Sequence, residues 1–74
     1  MIKNADLYME VTLHLKHGGR VTFAAEEFSS KRAITGGYTG MEWTHDDDPS
    51  LPRLHSIDLP DVAAITTRDV ERVS

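Results

Sequence analysis

A glycine turn between two basic side chains is the first place where this chain could do chemistry. Lys16 and Arg20 stand on either side of His17, Gly18 and Gly19. Paired cations beside a glycine turn, with backbone N–H groups facing outward, can hold a phosphate group or an acidic partner. These five residues are therefore the candidate phosphate or partner contact, although a solvated hairpin tip carries the same kind of residues.

Imidazole and carboxylate groups gather around an acidic loop. Asp46, Asp47 and Asp48 directly follow His45, and His55 lies further along the chain. Histidine and aspartate suit zinc or manganese. Two histidines on one short strand pair beside a loop make a weak site, however, and a run of carboxylates usually forms a solvated face. We therefore assign no metal site and no cofactor.

Motifs that would indicate catalysis are missing from the sequence. There is no cysteine, no Gly-x-Ser-x-Gly and no phosphate-binding glycine motif. A small barrel is also not expected to enclose a pocket that could desolvate a pair of carboxylates. The sequence therefore predicts a protein that is not an enzyme.

Some apolar or amphipathic residues fall outside the inward-facing pattern, and anchors of this kind favour interfaces. The candidate interface residues are Tyr8, Tyr38, Leu54, Val70 and Val73. The tail, residues 68–74, could extend the last strand and pair with the edge of a neighbouring sheet.

A predicted hairpin over residues 8–25 would position the basic turn. Apolar and polar residues alternate in both arms, which is the period of a half-buried strand. A loop of about three residues at 17–19, with a left-handed glycine, keeps the apolar residues on one face. This closure pairs Leu15 with Val21.

Alternation returns later in the chain. The further predicted strands are residues 38–45, 53–59 and 62–67. Glycines at 36, 37 and 40 suggest a tight turn followed by a bulge or a close backbone approach. Residues 26–34 fit either about two helical turns or a bent strand with Phe28 and Ile34 pointing inward.

Together these elements predict an all-β fold, a small barrel of about five short antiparallel strands in a single domain over residues 1–74. Barrel closure would remove the exposed edges of so small a sheet. The predicted shared interior consists of Leu13, Leu15, Phe23, Trp43, Ile57 and Ile65.

Composition narrows the possible partners. A formal net charge of -4 and a pI near 5.4 argue against broad nucleic-acid binding, which needs clustered cations.

No apolar run approaches a membrane span, and no signal-peptide core follows the first residues, so we expect a cytoplasmic protein without a membrane partner. A chain of 74 residues without cysteine has a small core and no disulfide, so self-association is expected.

Residues 57–65, Ile-Asp-Leu-Pro-Asp-Val-Ala-Ala-Ile, resemble the ending of SH3-like and Sm-like barrels, in which a strand, a tight turn and a final short strand seal the barrel. The resemblance covers about the last quarter of the chain and implies a fold rather than a function. The sequence lacks the amphipathic first helix and the RNA-pocket residues of Sm proteins. A compact acidic chain also resembles accessory proteins of bacteriophages.

The leading functional hypothesis is a non-catalytic interaction module that self-associates and binds another macromolecule. If the protein is encoded by a phage, that macromolecule would be a factor of the host cell. The alternative is an Sm-like ring that binds nucleic acid or nucleotides through the basic hairpin tip. A homo-oligomer with a protein partner is favoured over a nucleic-acid complex because the chain is acidic.

Overall fold

The computed structural model describes residues 7–72 and arranges them in one antiparallel sheet. Its strands are β1 (Leu7–Leu15), β2 (Arg20–Arg32), β3 (Tyr38–His45) and β4 (Val62–Glu71). The strand order is β3-β2-β1-β4, and a 3₁₀ helix, Leu59–Asp61, precedes β4. The predicted all-β fold is confirmed. The sheet is open and has four strands rather than about five, because the predicted strand over residues 53–59 does not form.

Strand β2 is long because the ambiguous segment is a strand. Its first half pairs with β1, its second half pairs with β3, and the register shifts between Ala25 and Glu27. Phe28 lies beyond this bulge, with its ring centroid 6.2 Å from that of Phe23. The inward placement of Ile34 was wrong, because Ile34 follows the end of β2 and is fully exposed.

The turn between β1 and β2 has the predicted type but begins one residue earlier. The Leu15 N–H donates to the Gly19 carbonyl at 2.8 Å, and the Gly18 N–H donates to the Leu15 carbonyl at 3.0 Å. The loop is therefore residues 16–18, with Gly18 at φ 100°. Moving the loop by one residue moves the register by two, so Val21 pairs with Leu13 instead of Leu15 and the apolar residues keep their face.

The turn between β2 and β3 repeats this geometry. The Ala33 N–H donates to the Gly37 carbonyl at 2.8 Å, and the Gly36 N–H donates to the Ala33 carbonyl at 2.9 Å. Gly36 has φ 106°, a left-handed conformation that glycine adopts without strain. Each turn thus uses the first glycine of a Gly-Gly pair as its third loop residue.

The core lies on one face of the sheet. Its buried members are Val11, Leu13, Phe23, Ala25 and Leu54. Trp43, Ile57 and Ile65 pack against this cluster as predicted, and the Phe23 and Trp43 ring centroids are 5.8 Å apart. Leu15 is only half-buried.

Residues 46–58 lie against the core without forming a strand. The Ala24 N–H donates to the Pro52 carbonyl at 3.0 Å. The indole N–H of Trp43 and Nε2 of His45 bond the Leu54 carbonyl at 2.8 and 2.9 Å. Side chains of β3 therefore take the place of a backbone ladder, and Pro52 has no N–H to contribute to one. Without a backbone ladder to β3, residues 53–59 do not form the predicted strand.

An ion pair joins the ends of the two edge strands. Asp46 follows β3 and Arg72 follows β4, and their side chains make hydrogen bonds of 2.8 and 3.1 Å. In a flat sheet, strands separated by three intervals lie roughly 14 Å apart. The contact therefore indicates that the sheet curls towards closure at this end.

Within residues 7–72 there is no helix whose length and hydropathy would let it cross a membrane.

Candidate interaction surfaces

The basic hairpin tip is exposed but does not present a cradle of free amides. The Gly18 N–H is used within the turn, and the Lys16 N–H donates to the Asp61 carbonyl at 2.8 Å. The prediction that the Gly18 amide faces outward was wrong. Arg20 also lies opposite His14 rather than opposite Lys16. The five predicted contact residues therefore adjoin one another in the chain without converging on a common point.

The two candidate interface tyrosines each lie under an arginine. The Arg72 guanidinium is 5.6 Å from the ring centroid of Tyr8, and the Arg32 guanidinium is 5.1 Å from that of Tyr38. Such contacts stabilise the pair by cation–π attraction. Tyr8 pairs with Val70 across β1 and β4, so these two half-buried residues form one patch. Tyr38 begins β3 and lies apart from them in the sheet.

The remaining two candidate interface residues do not join this patch. Leu54 belongs to the core, with 9% relative exposure, so its assignment as a surface anchor was wrong. Its carbonyl accepts the hydrogen bond of the Trp43 indole and is bonded to Nε2 of His45. Val73 lies outside the described residues.

His45 and His55 lie close together, with ring centroids 5.5 Å apart in an edge-on arrangement, although the strand pair that was expected to bring them together does not form. Within residues 7–72 there is no group of three histidine or acidic side chains that could hold a metal ion. His45 Nε2 is bonded to the Leu54 carbonyl, and Asp46 is bonded to Arg72. These side chains therefore hold the loop against the sheet.

The acidic loop is ordered by its own carboxylates. Asp46 accepts the Asp48 N–H at 2.9 Å, and Asp48 accepts the Ser50 hydroxyl at 2.7 Å and the Ser50 N–H at 2.9 Å. The hydrogen bonds from Ser50 lower the pKa of Asp48. Because the ionised form is favoured in the folded loop, its contribution to stability is present above the ordinary pKa range and is lost as the pH falls through the lowered pKa. Asp46 in turn raises the pKa of Arg72.

The outer edge of β4 is the longer of the two outer edges of the described sheet, with ten residues against eight in β3. β4 pairs with β1 along Val62–Glu71, and no described strand pairs with its other side. Its first six residues, 62–67, carry no charge and no proline. From the sequence, the last strand was predicted to cover only residues 62–67, and edge pairing was assigned to the tail at 68–74. In the structure β4 continues to Glu71.

Ile34 is a second surface feature that the sequence reading missed. It occupies the first loop position of the β2–β3 turn, where its side chain is fully exposed. The sequence contains a pattern that predicts this exposure, because Lys16 and Ile34 each stand two residues before a Gly-Gly pair. Two similar turns therefore present different side chains, one basic and one apolar.

Comparison with protein-family models, with curated proteins and with solved structures found no match to this chain, so its function is inferred from the surfaces described above.

Proposed function

We propose that this protein is a non-catalytic interaction module that self-associates through the outer edge of β4 and binds a further macromolecule in that assembled form. The observation that supports it is the length and composition of the edge. β4 has ten residues, and the stretch 62–67 has no charged side chain. The 3₁₀ turn leading into this last strand also supports assignment to the SH3-like and Sm-like barrels.

An exposed edge strand is a template for pairing because its outward N–H and C=O groups lack backbone partners. Natural edges are usually blunted by lysine, proline, a bulge or a covering segment. The other edge strand, β3, differs in that residues 46–58 pack against it, with the Trp43 and His45 side chains bonded to the Leu54 carbonyl. Residues 62–67 contain no charged residue and no proline. An irregularity in the pairing with β1 lies near the start of this stretch, between Val62 and Ala64. Beyond it, Ile65, Thr66 and Thr67 are β-branched residues that favour strand pairing.

Antiparallel pairing of two identical edges gives a closed dimer with a two-fold axis. The partner strand would extend each four-stranded sheet into an eight-stranded one, and the axis would run perpendicular to the sheet. A small domain gains from this arrangement, because its own core leaves little stability in reserve. The half-buried pair of Tyr8 and Val70 lies next to the proposed interface.

A lysine placed in the edge tests the proposal. Thr67 is exposed in β4, so Thr67→Lys introduces a charge without disturbing the core. In a two-fold dimer, the substitution brings the new lysines of the two copies near each other. Pairing of the edges would also remove water from both lysine charges. We expect the dissociation constant of the dimer to rise at least about tenfold, measured by sedimentation velocity and light scattering.

Thr39→Lys is the matched control, because Thr39 is an exposed threonine in the other edge strand. It should leave the dimer unchanged. A wild-type protein that stays monomeric at high concentration would refute self-association, and disruption by Thr39→Lys alone would move the interface to β3. Deleting the tail is a poorer test, since it also removes Arg72 and its ion pair with Asp46.

A further inference from the structure

A groove lies on the outward face of the sheet, opposite the core, and its lining includes Thr66 and Thr67 of β4. It crosses β2, β1 and β4 and has a volume of about 480 Å³. Arg20 and Arg68 line it, together with His14 and a row of threonines. We propose that this groove binds a small phosphate-rich anion, of the size of a diphosphate or triphosphate, through guanidinium and hydroxyl groups.

Three threonine hydroxyls form the floor of the groove. Thr12 on β1 pairs with Thr22 on β2 and with Thr66 on β4, so the three residues form one row across the sheet. The Thr12 and Thr22 hydroxyl oxygens are 3.2 Å apart. Thr66 shares a hydrogen bond of 3.0 Å with Nε2 of His14. Each hydroxyl can donate one hydrogen bond, so the row can turn towards an incoming acceptor.

The two arginines lie at opposite corners of this row. Arg20 on β2 pairs with His14 on β1, two residues from the threonine row in one direction along the strands. Arg68 on β4 pairs with Glu10 on β1, two residues from the row in the other direction. From strand spacing and rise, the Cα atoms of the two arginines are roughly 16 Å apart. Both side chains are long enough to lean inward over the threonines, so a ligand with several charged groups can contact both.

The groove is rich in donors and poor in free acceptors. The side chain of Arg20 makes no hydrogen bond or ion pair with any other residue between 7 and 72. The carboxylate of Glu10 is bonded to Nε of Arg68 at 2.8 Å, which leaves the two terminal nitrogens of Arg68 for a ligand. The groove is lined by two arginines and one glutamate, so it carries a net positive charge although the chain as a whole has a net charge of -4. Such a donor set suits phosphate oxygens, which accept bidentate hydrogen bonds from guanidinium.

The groove favours a small phosphate compound over a nucleic-acid strand. No Phe, Tyr or Trp side chain lines the groove, and its one imidazole, His14, is bonded to Thr66, so the groove lacks the aromatic platform on which nucleic-acid bases usually stack. Its positive charge is also local, whereas strands of RNA or DNA are bound by extended basic surfaces. RNA binding is therefore the competing outcome in the test.

Titration with tripolyphosphate, followed by NMR amide shifts at constant ionic strength, tests the proposal. We expect saturable shifts at Thr12, Thr22 and Thr66. Arg20→Gln should weaken binding about tenfold because it removes a charged donor. Thr22→Val should weaken it about threefold, since valine keeps the shape and strand preference but lacks the hydroxyl.

Arg53→Gln is the control, because Arg53 is an exposed arginine that does not line the groove, and binding should change less than about twofold. Several results would overturn the proposal. They are the absence of saturable shifts up to about 10 mM, an equal loss in Arg53→Gln, unchanged affinity in Thr22→Val, or tighter binding of a short RNA than of tripolyphosphate. Thermal melts of each variant establish that the fold is retained.

Discussion

Asp46 is a charged side chain in the protein interior, and Arg72 supplies its counter-charge. Asp46 has 6% relative exposure, and its carboxylate accepts hydrogen bonds from both terminal nitrogens of Arg72 and from the Asp48 N–H. A buried carboxylate is tolerated when its acceptor sites are filled. Arg72 also covers the ring of Tyr8, so one arginine connects the acidic loop with β1 and β4.

Removing this arginine should therefore destabilise the protein more than removing an exposed arginine of β4. Arg72→Gln leaves the Asp46 carboxylate buried without its charged partner, and we expect the melting temperature to fall by several degrees. Arg68→Gln is the matched variant, because the Arg68 side chain is 72% exposed in its pair with Glu10. That substitution should change the melting temperature little, since exposed ion pairs contribute little stability. Equal effects in calorimetry would argue against a structural role for the Asp46 pair.

At the scale of the elements, two turns of one design determine how the sheet is assembled. Both have a three-residue loop whose last residue is a left-handed glycine, and both are closed by the same pair of backbone hydrogen bonds. The first sets the register that buries Val11, Leu13 and Phe23 on one face. The second pairs Arg32 with Tyr38, and a register shift between Lys31 and Arg32 then places Phe28 opposite Trp43.

Alanine at the left-handed positions should therefore be costly at both turns. Gly18→Ala and Gly36→Ala each force a β-carbon into a left-handed conformation, which costs about 1–2 kcal/mol. We expect each to lower the midpoint of urea unfolding. Gly37→Ala should not, because Gly37 has no left-handed φ and an added β-carbon would meet nothing within 4 Å. If all three variants unfold alike, the conformational explanation fails.

These elements also show how far the sequence alone could lead. Alternation of apolar residues predicted the buried faces of β1, of the first half of β2 and of β3, because the period of a strand is visible in one chain. Which glycine of an adjacent pair takes the left-handed position is not visible, since either choice puts Leu13 and Phe23 on the same face. The role of Leu54 was also hidden, because its burial depends on side chains of β3 that contact its carbonyl. The groove could not be read from sequence spacing, since Thr12, Thr22 and Thr66 meet only through strand pairing.

At the scale of the whole molecule, the sheet is only partly closed. Residues 46–58 pack against β3 through Trp43 and His45, and the ion pair of Asp46 with Arg72 joins the ends of the two edge strands. No described strand pairs with the outer edge of β4. A radius of gyration of 13.2 Å exceeds the value of about 11 Å expected for a compact domain of this length. The elongated shape means that a large share of the chain remains at the surface, which makes a second copy a source of stability.

Association should therefore be visible in the thermal stability of the protein. If two copies pair through β4, unfolding is coupled to dissociation, and the melting temperature depends on protein concentration. We expect it to rise by several degrees over about a hundredfold increase in concentration. Thr67→Lys should abolish this dependence and leave the melting temperature near the low-concentration limit of the wild type, whereas Thr39→Lys should retain it. A melting temperature that is independent of concentration in the wild type would mean that the open sheet is stable as a monomer and that the β4 edge does not mediate assembly.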